Sequence, residues 1–423
     1  MHILISPPSY QLPTFPPDPV VPTTLLTHAR VPGYDQLMCL WVDPQEKVRS
    51  IQPMAQAFKQ PPPEHLRVIN LKGDWLSLGG VDLQINGALG IPFPLLGQGE
   101  QSPRQALQEI SRFLWQQGID GYLATIVTSS VADIHRSLAA IKGYMGLPTP
   151  AHTAKLLGVH LEGPCLNGEK RGAHPKKHLK PLTIPVLEEI LGEWADIVKI
   201  ITLAPELDPS GETIAYLRGQ NIVVSLGHSQ ASEAEAKAAF EQGANMVTHA
   251  FNAMPSLHHR EAGLLGAALV NADVYCGFIA DGRHVNTTML NLLLRAGSYS
   301  KQLFLVSDAL APLGLPEGIY PWDKRQITIA NGTARLEDGT LAGTTLSLLS
   351  GVQNLVRWRI CSVDEAIAMA TITPRRALSC TEENDRRDRL YVGQSLDSLV
   401  RWHLERETHE LTWERFRIPS GRD

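Results

Sequence analysis

The sequence predicts an α/β protein: a (β/α)8 barrel of the TIM type, accompanied by a small β domain built from both chain ends. Short apolar runs of strand length occur eight times between residues 79 and 308, and stretches of helical composition separate most of them. Eight parallel strands alternating with helices are the number that closes a barrel. Further short β-type runs, rich in turn formers, lie before residue 78 and after residue 388. These outer runs predict the small domain.

The predicted barrel strands are, in order, 79–86, 119–128, 155–162, 197–204, 221–227, 244–249, 274–280 and 302–308. Two of the connecting segments carry clear helix signals. Ser102 followed by Pro103 is typical of an N-cap and the first helical position. Residues 232–243, SEAEAKAAFEQG, combine strong helix formers with a glycine at the end.

We predict three parts in the chain. Residues 1–23 form an extension in which positions 7–22 hold seven prolines, too many for a regular helix or a central strand. Residues 24–78 and 386–418 form the small β domain, whose last part is predicted to be a hairpin. Residues 79–385 form the barrel.

Composition excludes several classes of protein. The 423 residues are 43% hydrophobic and carry a net charge of −5, so neither nucleic acid nor an anionic membrane is expected as a partner. The five cysteines show no paired spacing, which favours free thiols and the reducing cytoplasm. No apolar stretch approaches the length of a membrane span, and the first residues lack the pattern of a signal peptide. A soluble cytoplasmic protein is therefore expected.

Four predicted strands end on side chains that can bind a metal or carry a proton: Glu162, His228, His249 and Asp308. Any one of them alone would more often be a structural residue. In a barrel, however, the carboxyl ends of all strands face one mouth, which brings these four residues together. One carboxylate and two imidazoles match the ligand set of a catalytic zinc ion. With an aspartate added, they are the parts of a metal-assisted hydrolase.

The segments around these residues resemble a known family. HLEGPCLNGEKRGAH, SLGHSQA, THAFNAMPSLHHREAGLLGAAL, IADGRHV, SDALAP and LAGTTLSL follow one another in the order found in the N-acetylglucosamine-6-phosphate deacetylases of the amidohydrolase superfamily. The similarity extends from about residue 79 to about residue 378. It implies a barrel with a small β-sandwich domain. It also implies hydrolysis of N-acetylglucosamine 6-phosphate to glucosamine 6-phosphate and acetate, a reaction of amino-sugar catabolism and recycling.

The resemblance also implies roles for individual residues. The family's metal ligands correspond to Glu162, His228 and His249, and its catalytic acid–base corresponds to Asp308. The family forms homodimers in which an arginine loop can reach the neighbouring subunit, so a homodimer is expected. The substrate contacts that the resemblance implies are Ala173, His174, Asn252, Ala253, Arg260, Asp281, Gly282, Arg283, His284, Leu341, Ala342 and Gly343.

The first predicted barrel strand bears on the number of metal ions. Many amidohydrolases carry His-x-His there, whereas this chain has Gln84 and Asn86. Carboxamides are poor zinc ligands. We therefore expect one divalent ion per subunit, with Zn²⁺ favoured and Fe²⁺, Co²⁺ and Mn²⁺ open. Gln84 and Asn86 are expected to hydrogen-bond the water or the ligands.

Chemistry assigns further expectations. Asp308 is expected to accept a proton from water and pass it to the departing amine. The metal ion and His174 are the candidates for stabilising the oxyanion, and Arg260 is expected to bind the 6-phosphate through its forked guanidinium.

Three alternatives stay open at this point. The first is a deacetylase of N-acetylgalactosamine 6-phosphate, which differs in the orientation of one hydroxyl. The second, a cyclic-amide hydrolase of the same superfamily, is disfavoured by the missing His-x-His. The third is a catalytically silent sugar-phosphate-binding protein, which would have no need for a proton carrier at Asp308.

Overall fold

The computed structural model describes residues 22–56, 65–208, 210–297, 302–378 and 387–418 of the chain. Most of the predicted proline-rich extension and the predicted boundary near residue 385 lie outside these ranges. The predicted domain limits stay a prediction. Among the described residues, no helix is both long enough and apolar enough to cross a membrane.

The chain begins with strands of two small sheets. The first sheet contains β1 (Thr24–Ala29), β2 (Met38–Val42), β3 (Val48–Pro53) and β4 (Arg67–Asn70) in the order β3-β2-β1-β4. The next strand, β5 (Trp75–Leu78), belongs to a separate sheet that is completed near the C-terminus. The two sheets share one apolar cluster that includes Leu26, Leu76 and Leu399. They therefore pack as a small sandwich.

The barrel sheet begins with β6 (Gly80–Ile85), which is followed by a short antiparallel pair, β7 (Gly87–Ala88) and β8 (Ile91–Pro92). The other barrel strands are β9 (Ile119–Val127), β10 (Lys155–Glu162), β11 (Val198–Leu203), β12 (Val223–Leu226), β13 (Met246–Val247), β14 (Tyr275–Phe278) and β15 (Leu303–Leu305). All neighbouring pairs are parallel. Each of the eight predicted strands overlaps one of these, so the predicted fold class is confirmed.

The barrel closes between its last and first strands just at the mouth. Asp308 N donates to the carbonyl of Gln84 at 2.9 Å, and Asn86 N donates to the carbonyl of Ala309 at 2.7 Å. A parallel bridge joins Ile85 and Ala309. Closure therefore depends on the residues that follow β15, not on β15 itself.

Helices surround the barrel and cover its strands. Ser102 caps the first helix by accepting from Gln105 N, as predicted. The helix predicted within residues 232–243 is present and begins with a capping box formed by Ser232 and Glu235. The described helices are α1 (Pro103–Gln116), α2 (Val131–Met145), α3 (Ile184–Leu191), α4 (Thr213–Gly219), α5 (Glu233–Glu241), α6 (Gly263–Leu269), α7 (Thr287–Ala296), α8 (Leu348–Arg357), α9 (Val363–Leu378) and α10 (Arg387–Tyr391).

An antiparallel sheet, which sequence reasoning missed, is inserted between β15 and α8. It contains β16 (Gly318–Trp322), β17 (Arg325–Ala330), β18 (Thr333–Leu336) and β19 (Leu341–Thr344). A signal was present: Asn331-Gly332 joins β17 to β18 with φ values of 50° and 72°, the conformation of a two-residue hairpin turn. We call β16–β19 the inserted sheet.

The predicted C-terminal hairpin consists of β20 (Leu399–Glu405) and β21 (Glu410–Arg415), and β20 pairs with β5. A charged cluster joins this hairpin to the barrel. The Asp120 carboxylate accepts from Arg415 Nη1 at 2.8 Å, Arg375 Nη2 at 2.8 Å and Gly79 N at 2.8 Å. The guanidinium of Arg415 also lies 4.9 Å from the ring centre of Trp115. Strands from both ends of the chain are thus anchored to the barrel.

Removing the Asp120 carboxylate should destabilise the fold. Asp120→Ala leaves two guanidinium groups without their shared counter-charge, and we expect the free energy of unfolding to fall by about 3 kcal/mol. Urea unfolding followed by circular dichroism measures this. The control is Asp196→Ala, which removes an exposed ion pair with Lys142 and should change stability by less than about 1 kcal/mol. Equal midpoints for Asp120→Ala and wild type would contradict this account.

Candidate metal centre and active site

Four strand ends of the barrel carry the residues that form the site. Glu162 is the last residue of β10, whereas His228, His249 and Asp308 follow β12, β13 and β15 by two or three residues. The φ angles of these last three are 49°, 32° and 46°, which lie in the left-handed region. Residues other than glycine seldom adopt this region, and such residues cluster at functional sites. The chain thus leaves the sheet sharply at each of these positions.

The side chains of Glu162, His228 and His249 meet in a buried cluster, which we call the ligand cluster. The Nε2 atoms of His228 and His249 each lie 3.1 Å from Glu162 Oε1. They lie 3.0 Å from each other. Each of the three residues is at most 5% exposed.

The hydrogen bonds around the ligand cluster test whether it suits a cation. His228 Nδ1 lies 2.7 Å from the carbonyl oxygen of Lys170. A carbonyl only accepts, so Nδ1 carries the proton of a neutral ring and Nε2 presents a lone pair. That lone pair faces Glu162 Oε1, which is also an acceptor. A single proton can bridge only one pair of the three atoms, whereas one metal ion can accept from all three, so the donor set fits a divalent cation.

The charge state of Glu162 agrees with this fit. Burial by itself would raise the pKa of this carboxyl, but the adjacent imidazoles of His228 and His249 outweigh burial and hold its pKa well below the usual value. Glu162 is therefore ionised near neutral pH, as a metal ligand must be.

His174 lies beside the ligand cluster and could compete for the ion. Potential ligand atoms of Glu162, His174 and His228 lie within 4.8 Å of one another. However, His174 Nε2 is 4.0 Å from Glu162 Oε1, whereas His249 Nε2 is 3.1 Å from it. The distances therefore favour His249 as the third ligand. Burial, followed by the neighbouring His228, lowers the pKa of His174 to about 3, so the ring is neutral near pH 7.

Asp308 is held by the two carboxamides of the first barrel strand. Asn86 Nδ2 donates to Asp308 Oδ1 at 2.8 Å, and Gln84 Nε2 donates to the same oxygen at 3.4 Å. Gln84 Nε2 also donates to Glu162 Oε1 at 3.2 Å. Both carboxamides therefore turn N–H groups toward carboxylates. Burial, together with the charge of Glu162, raises the pKa of Asp308 to about 8.

The loops at the mouth are tied to one another. Asn167 N donates to the carbonyl of His228 at 2.9 Å, and Ser229 N donates to the carbonyl of Ala253 at 3.2 Å. Asn252 Nδ2 donates to the carbonyl of His249 at 3.1 Å. The loops that follow β10, β12 and β13 therefore support each other around the ligand cluster.

The remaining predicted substrate contacts line the surrounding loops. Asp281 and His284 form a close pair, with Oδ2 and Nδ1 2.6 Å apart. The carbonyl of Ala173 accepts from Arg325 of the inserted sheet at 2.9 Å. Gly282 lies between Asp281 and the exposed Arg283. Leu341, Ala342 and Gly343 belong to β19.

Arg260 and Arg283 are exposed. In the described part of the chain, no side-chain hydrogen bond joins either guanidinium, or the Asp281–His284 pair, to the ligand cluster or to Asp308. The structure thus brings together Gln84, Asn86, Glu162, His174, His228, His249 and Asp308 by direct contact. It does not bring Arg260 into contact with them within one subunit.

Sequence reasoning missed a polar chain inside the barrel. His160 Nδ1 lies 3.0 Å from the carbonyl of Leu83, and Nε2 lies 2.7 Å from Thr202 Oγ1. Thr202 Oγ1 in turn lies 2.6 Å from Thr248 Oγ1. A signal for His160 was present, because side chains two residues apart in a strand point to the same face of the sheet. His160 precedes Glu162 by two residues and therefore lies on the same face of β10.

These features define a class of protein: a metal-binding barrel hydrolase of the amidohydrolase type. A comparison with family models found no match. Similar chains are found among known proteins. N-acetylglucosamine-6-phosphate deacetylase of Bos taurus is 35% identical over 335 residues, 77% of this chain and 79% of the relative. N-acetylgalactosamine-6-phosphate deacetylase of Escherichia coli O157:H7 is 32% identical over 298 residues, 70% and 76% of the two chains.

Solved structures agree. The crystal structure of N-acetylglucosamine-6-phosphate deacetylase from Pasteurella multocida superimposes with a TM-score of 0.77 at 26% identity, covering 93% of this chain and all of that one. The chain belongs to the N-acetylglucosamine-6-phosphate deacetylase family.

Metal content should separate the two possible histidine sets. We expect His228→Ala and His249→Ala to purify folded but largely metal-free, because each loses one of three close ligands. His174→Ala should keep about one ion per chain, because its ring lies farther from Glu162. Elemental analysis after dialysis against a metal buffer measures this, with circular dichroism to verify folding. Metal retained in His249→Ala and lost in His174→Ala would show that our choice of ligands is wrong.

Proposed function

We propose that this chain hydrolyses the N-acetyl group of N-acetyl-D-glucosamine 6-phosphate to give D-glucosamine 6-phosphate and acetate. Family membership supports the substrate class. The observation that carries the reaction type is that Gln84 Nε2 links a buried metal-ligand cluster to a separate buried carboxylate, Asp308. A binding protein without catalysis would need the metal-ligand cluster but not the Asp308 carboxylate.

Glu162, His228 and His249 would hold one divalent ion, with Zn²⁺ as our first choice and Fe²⁺, Co²⁺ or Mn²⁺ compatible with the same donors. When bound, such an ion supplies Lewis-acid polarisation of the acetamide carbonyl and acidification of water. Gln84 and Asn86 take no part as ligands in this proposal. Their N–H groups donate to carboxylate oxygens, and a neutral carboxamide oxygen is a poorer ligand for Zn²⁺ than imidazole or carboxylate.

Asp308 is the proton carrier. It accepts a proton from the attacking water and delivers it to the amine nitrogen, which could not leave as an amide anion. Gln84 and Asn86 both donate to Oδ1 and so fix the rotation of the carboxylate. In the described ranges Oδ2 accepts no hydrogen bond, so it is the oxygen that faces water. Burial raises the pKa of Asp308 to about 8, which makes its ionised form a stronger base than an exposed carboxylate. The carboxyl must be ionised before it can accept the proton, and a nearby cation would favour that form.

His174 stabilises the oxyanion that forms on the acetyl group. Its Nδ1 lies 2.9 Å from Thr128 Oγ1. The Thr128 hydroxyl also lies 3.4 Å from the carbonyl of Glu162 and can donate to only one of the two groups. The proposed role requires that it donate to Nδ1, so that the neutral ring carries its proton on Nε2, beside the ligand cluster. A donor placed there before the reaction begins stabilises developing negative charge. The same tautomer excludes His174 from binding the ion.

Recognition of the sugar phosphate falls to the loops around the mouth. Arg260 binds the 6-phosphate, and the protein works as a homodimer in which the Arg260 loop reaches the site of the partner subunit. Two observations support this: Arg260 is exposed and has no ion pair among the described residues, and Leu257 on the same loop is 40% exposed. Contacts to the sugar come from Ala173, Asn252, Ala253, Asp281, Gly282, Arg283, His284, Leu341, Ala342 and Gly343.

We place the enzyme in the cytoplasm, without nucleic-acid or membrane partners. The four described cysteines are free thiols. Burial raises the pKa of Cys39 to about 11 and those of Cys165, Cys276 and Cys361 to about 12, so these thiols stay protonated. Free, unreactive thiols suit a reducing compartment.

A second candidate substrate is the galactosamine epimer, because one relative at 32% identity is an N-acetylgalactosamine-6-phosphate deacetylase. Acetate release by metal-loaded protein from both 6-phosphorylated epimers decides between them. We expect a higher kcat/KM for the glucosamine compound. A preference for the other epimer would assign the second substrate, and no acetate from either would reject the enzyme function.

Asp308→Asn should separate proton transfer from binding. The variant keeps the shape of the side chain but cannot accept a proton, so kcat should fall by about 10²–10⁴-fold while KM and metal content stay near wild type. Steady-state rates and elemental analysis on the same preparation measure this. Near-normal kcat would place the base elsewhere, and loss of the ion would make Asp308 a ligand.

Arg260→Ala should impair phosphate recognition only. Losing one partner of a charge-assisted pair costs about 2–5 kcal/mol, so KM for the phosphorylated substrate should rise by at least about 30-fold. The control is unphosphorylated N-acetylglucosamine, whose slow hydrolysis should not change.

Mixing the two variants tests the dimer. If Arg260 reaches the partner's site, a mixed dimer of Asp308→Asn and Arg260→Ala subunits contains one intact site, and the mixture should regain activity. If Arg260 serves its own subunit, mixing should restore nothing.

A further inference from the structure

The turn that carries Asp308 has an unfavourable backbone conformation. Asp308 has a φ of 46°, in the left-handed region that favours glycine. It lies beyond β15, which ends at Leu305, and its N–H donates to the carbonyl of Gln84 at 2.9 Å where the barrel closes. Such a conformation persists only when surrounding contacts impose it. The contacts that hold this turn come from two different sheets.

The first contact comes from β6 through the buried carboxylate of Asp82. Asp82 Oδ1 accepts from Ser307 N at 3.2 Å and from Gln84 N at 3.3 Å. Through this one oxygen atom, Asp82 links Ser307, the residue before Asp308, to Gln84, whose side chain donates to the Asp308 carboxylate. Asp82 is 1% exposed.

The second contact comes from Thr344 at the end of the inserted sheet. Thr344 Oγ1 donates to the carbonyl of Ser307 at 2.8 Å, and Thr344 N donates to the carbonyl of Asp308 at 3.0 Å. A side chain at the neighbouring Gly343 would place its Cβ 2.7 Å from the Asp308 carbonyl oxygen, so only glycine permits this approach. Thr344 is 1% exposed.

We propose that Asp82 and Thr344 are positioning residues for the deacetylation, because together they hold the Asp308 turn in its left-handed conformation and so aim the carboxylate. The inference rests on the proposed role of Asp308 as proton carrier. In the described structure neither side chain contacts the ligand cluster. Thr344 therefore acts through the backbone of residues 307 and 308, and Asp82 acts through Ser307 N and through Gln84, which donates to the Asp308 carboxylate.

This role differs from a merely structural one in what it predicts. When the contact from Asp82 or Thr344 is lost, the Asp308 turn can relax to another backbone conformation. A misplacement of about 1 Å of a catalytic group reduces the rate by about 10²-fold. Substrate binding and metal binding use other residues. The effect should therefore appear in kcat and not in KM or metal content.

The central test is Thr344→Val, which removes the hydroxyl and keeps the branched shape. We expect kcat for acetate release to fall by about 10–100-fold, with KM within about twofold of wild type and one ion bound. Thr344→Ser, which keeps the hydroxyl, should recover most of the rate.

The matched control is Thr333→Val. Thr333 pairs with Thr344 in the inserted sheet and donates the same kind of bond, Oγ1 to the carbonyl of Ala330 at 2.8 Å. This variant should lose similar thermal stability and keep wild-type kcat. A loss of kcat equal to that of Thr344→Val would show a general effect of the sheet and overturn the proposal.

The second pair of variants is Asp82→Ala and Asp82→Asn. Asparagine keeps an oxygen that can accept from both main-chain N–H groups, so it should retain kcat, whereas alanine should lower it as Thr344→Val does. If Asp82→Ala does not fold, the Thr344 series decides alone. Wild-type kcat in Thr344→Val, with acetate release intact, overturns this inference and leaves the proposed function standing. No acetate release by wild type overturns both.

Discussion

The structure depends on one constraint: three potential ligand atoms, one each from Glu162, His228 and His249, face one another in the protein interior. Glu162 Oε1 and the Nε2 atoms of His228 and His249 lie 3.0–3.1 Å from one another with almost no access to water. They come from three different strands, so their meeting requires a closed barrel. Closure in turn uses the backbone of Asp308 and Ala309. The metal-ligand cluster and the candidate proton carrier are therefore products of the same closure.

The two carboxyl groups of the site are both buried, but their pKa values shift in opposite directions. Burial is the largest influence on both, and it favours the protonated form. Glu162 overcomes it through two imidazole partners and stays ionised. Asp308, whose side-chain donors among the described residues are two carboxamides, lies near the charge of Glu162 and keeps a raised pKa. Two acidic residues in contact with the same Gln84 side chain are thus prepared for different tasks, one to hold a cation and one to exchange a proton.

Much of the fold and the location of the site were predictable because local signals agree with the global architecture. Apolar runs ending on Glu162, His228, His249 and Asp308, combined with the geometry of a barrel, suffice to place these residues at one mouth. The inserted sheet was missed, although Asn331-Gly332 signals its central turn. The bond from Arg325 of β17 to the carbonyl of Ala173 joins residues 152 positions apart, and no local pattern encodes such a contact. The left-handed φ values of His228, His249 and Asp308 were not predictable either, because tertiary contacts impose them.

X-ray absorption spectroscopy of the zinc-loaded protein tests the central claim most directly, because it counts imidazole rings bound to the ion. The account predicts two imidazoles, those of His228 and His249, with oxygen ligands completing the coordination. The spectrum of His174→Ala should be unchanged, since that ring donates a hydrogen bond and does not coordinate. Three imidazoles in the wild type, falling to two in His174→Ala, would contradict the assignment of both the ligand cluster and the oxyanion donor.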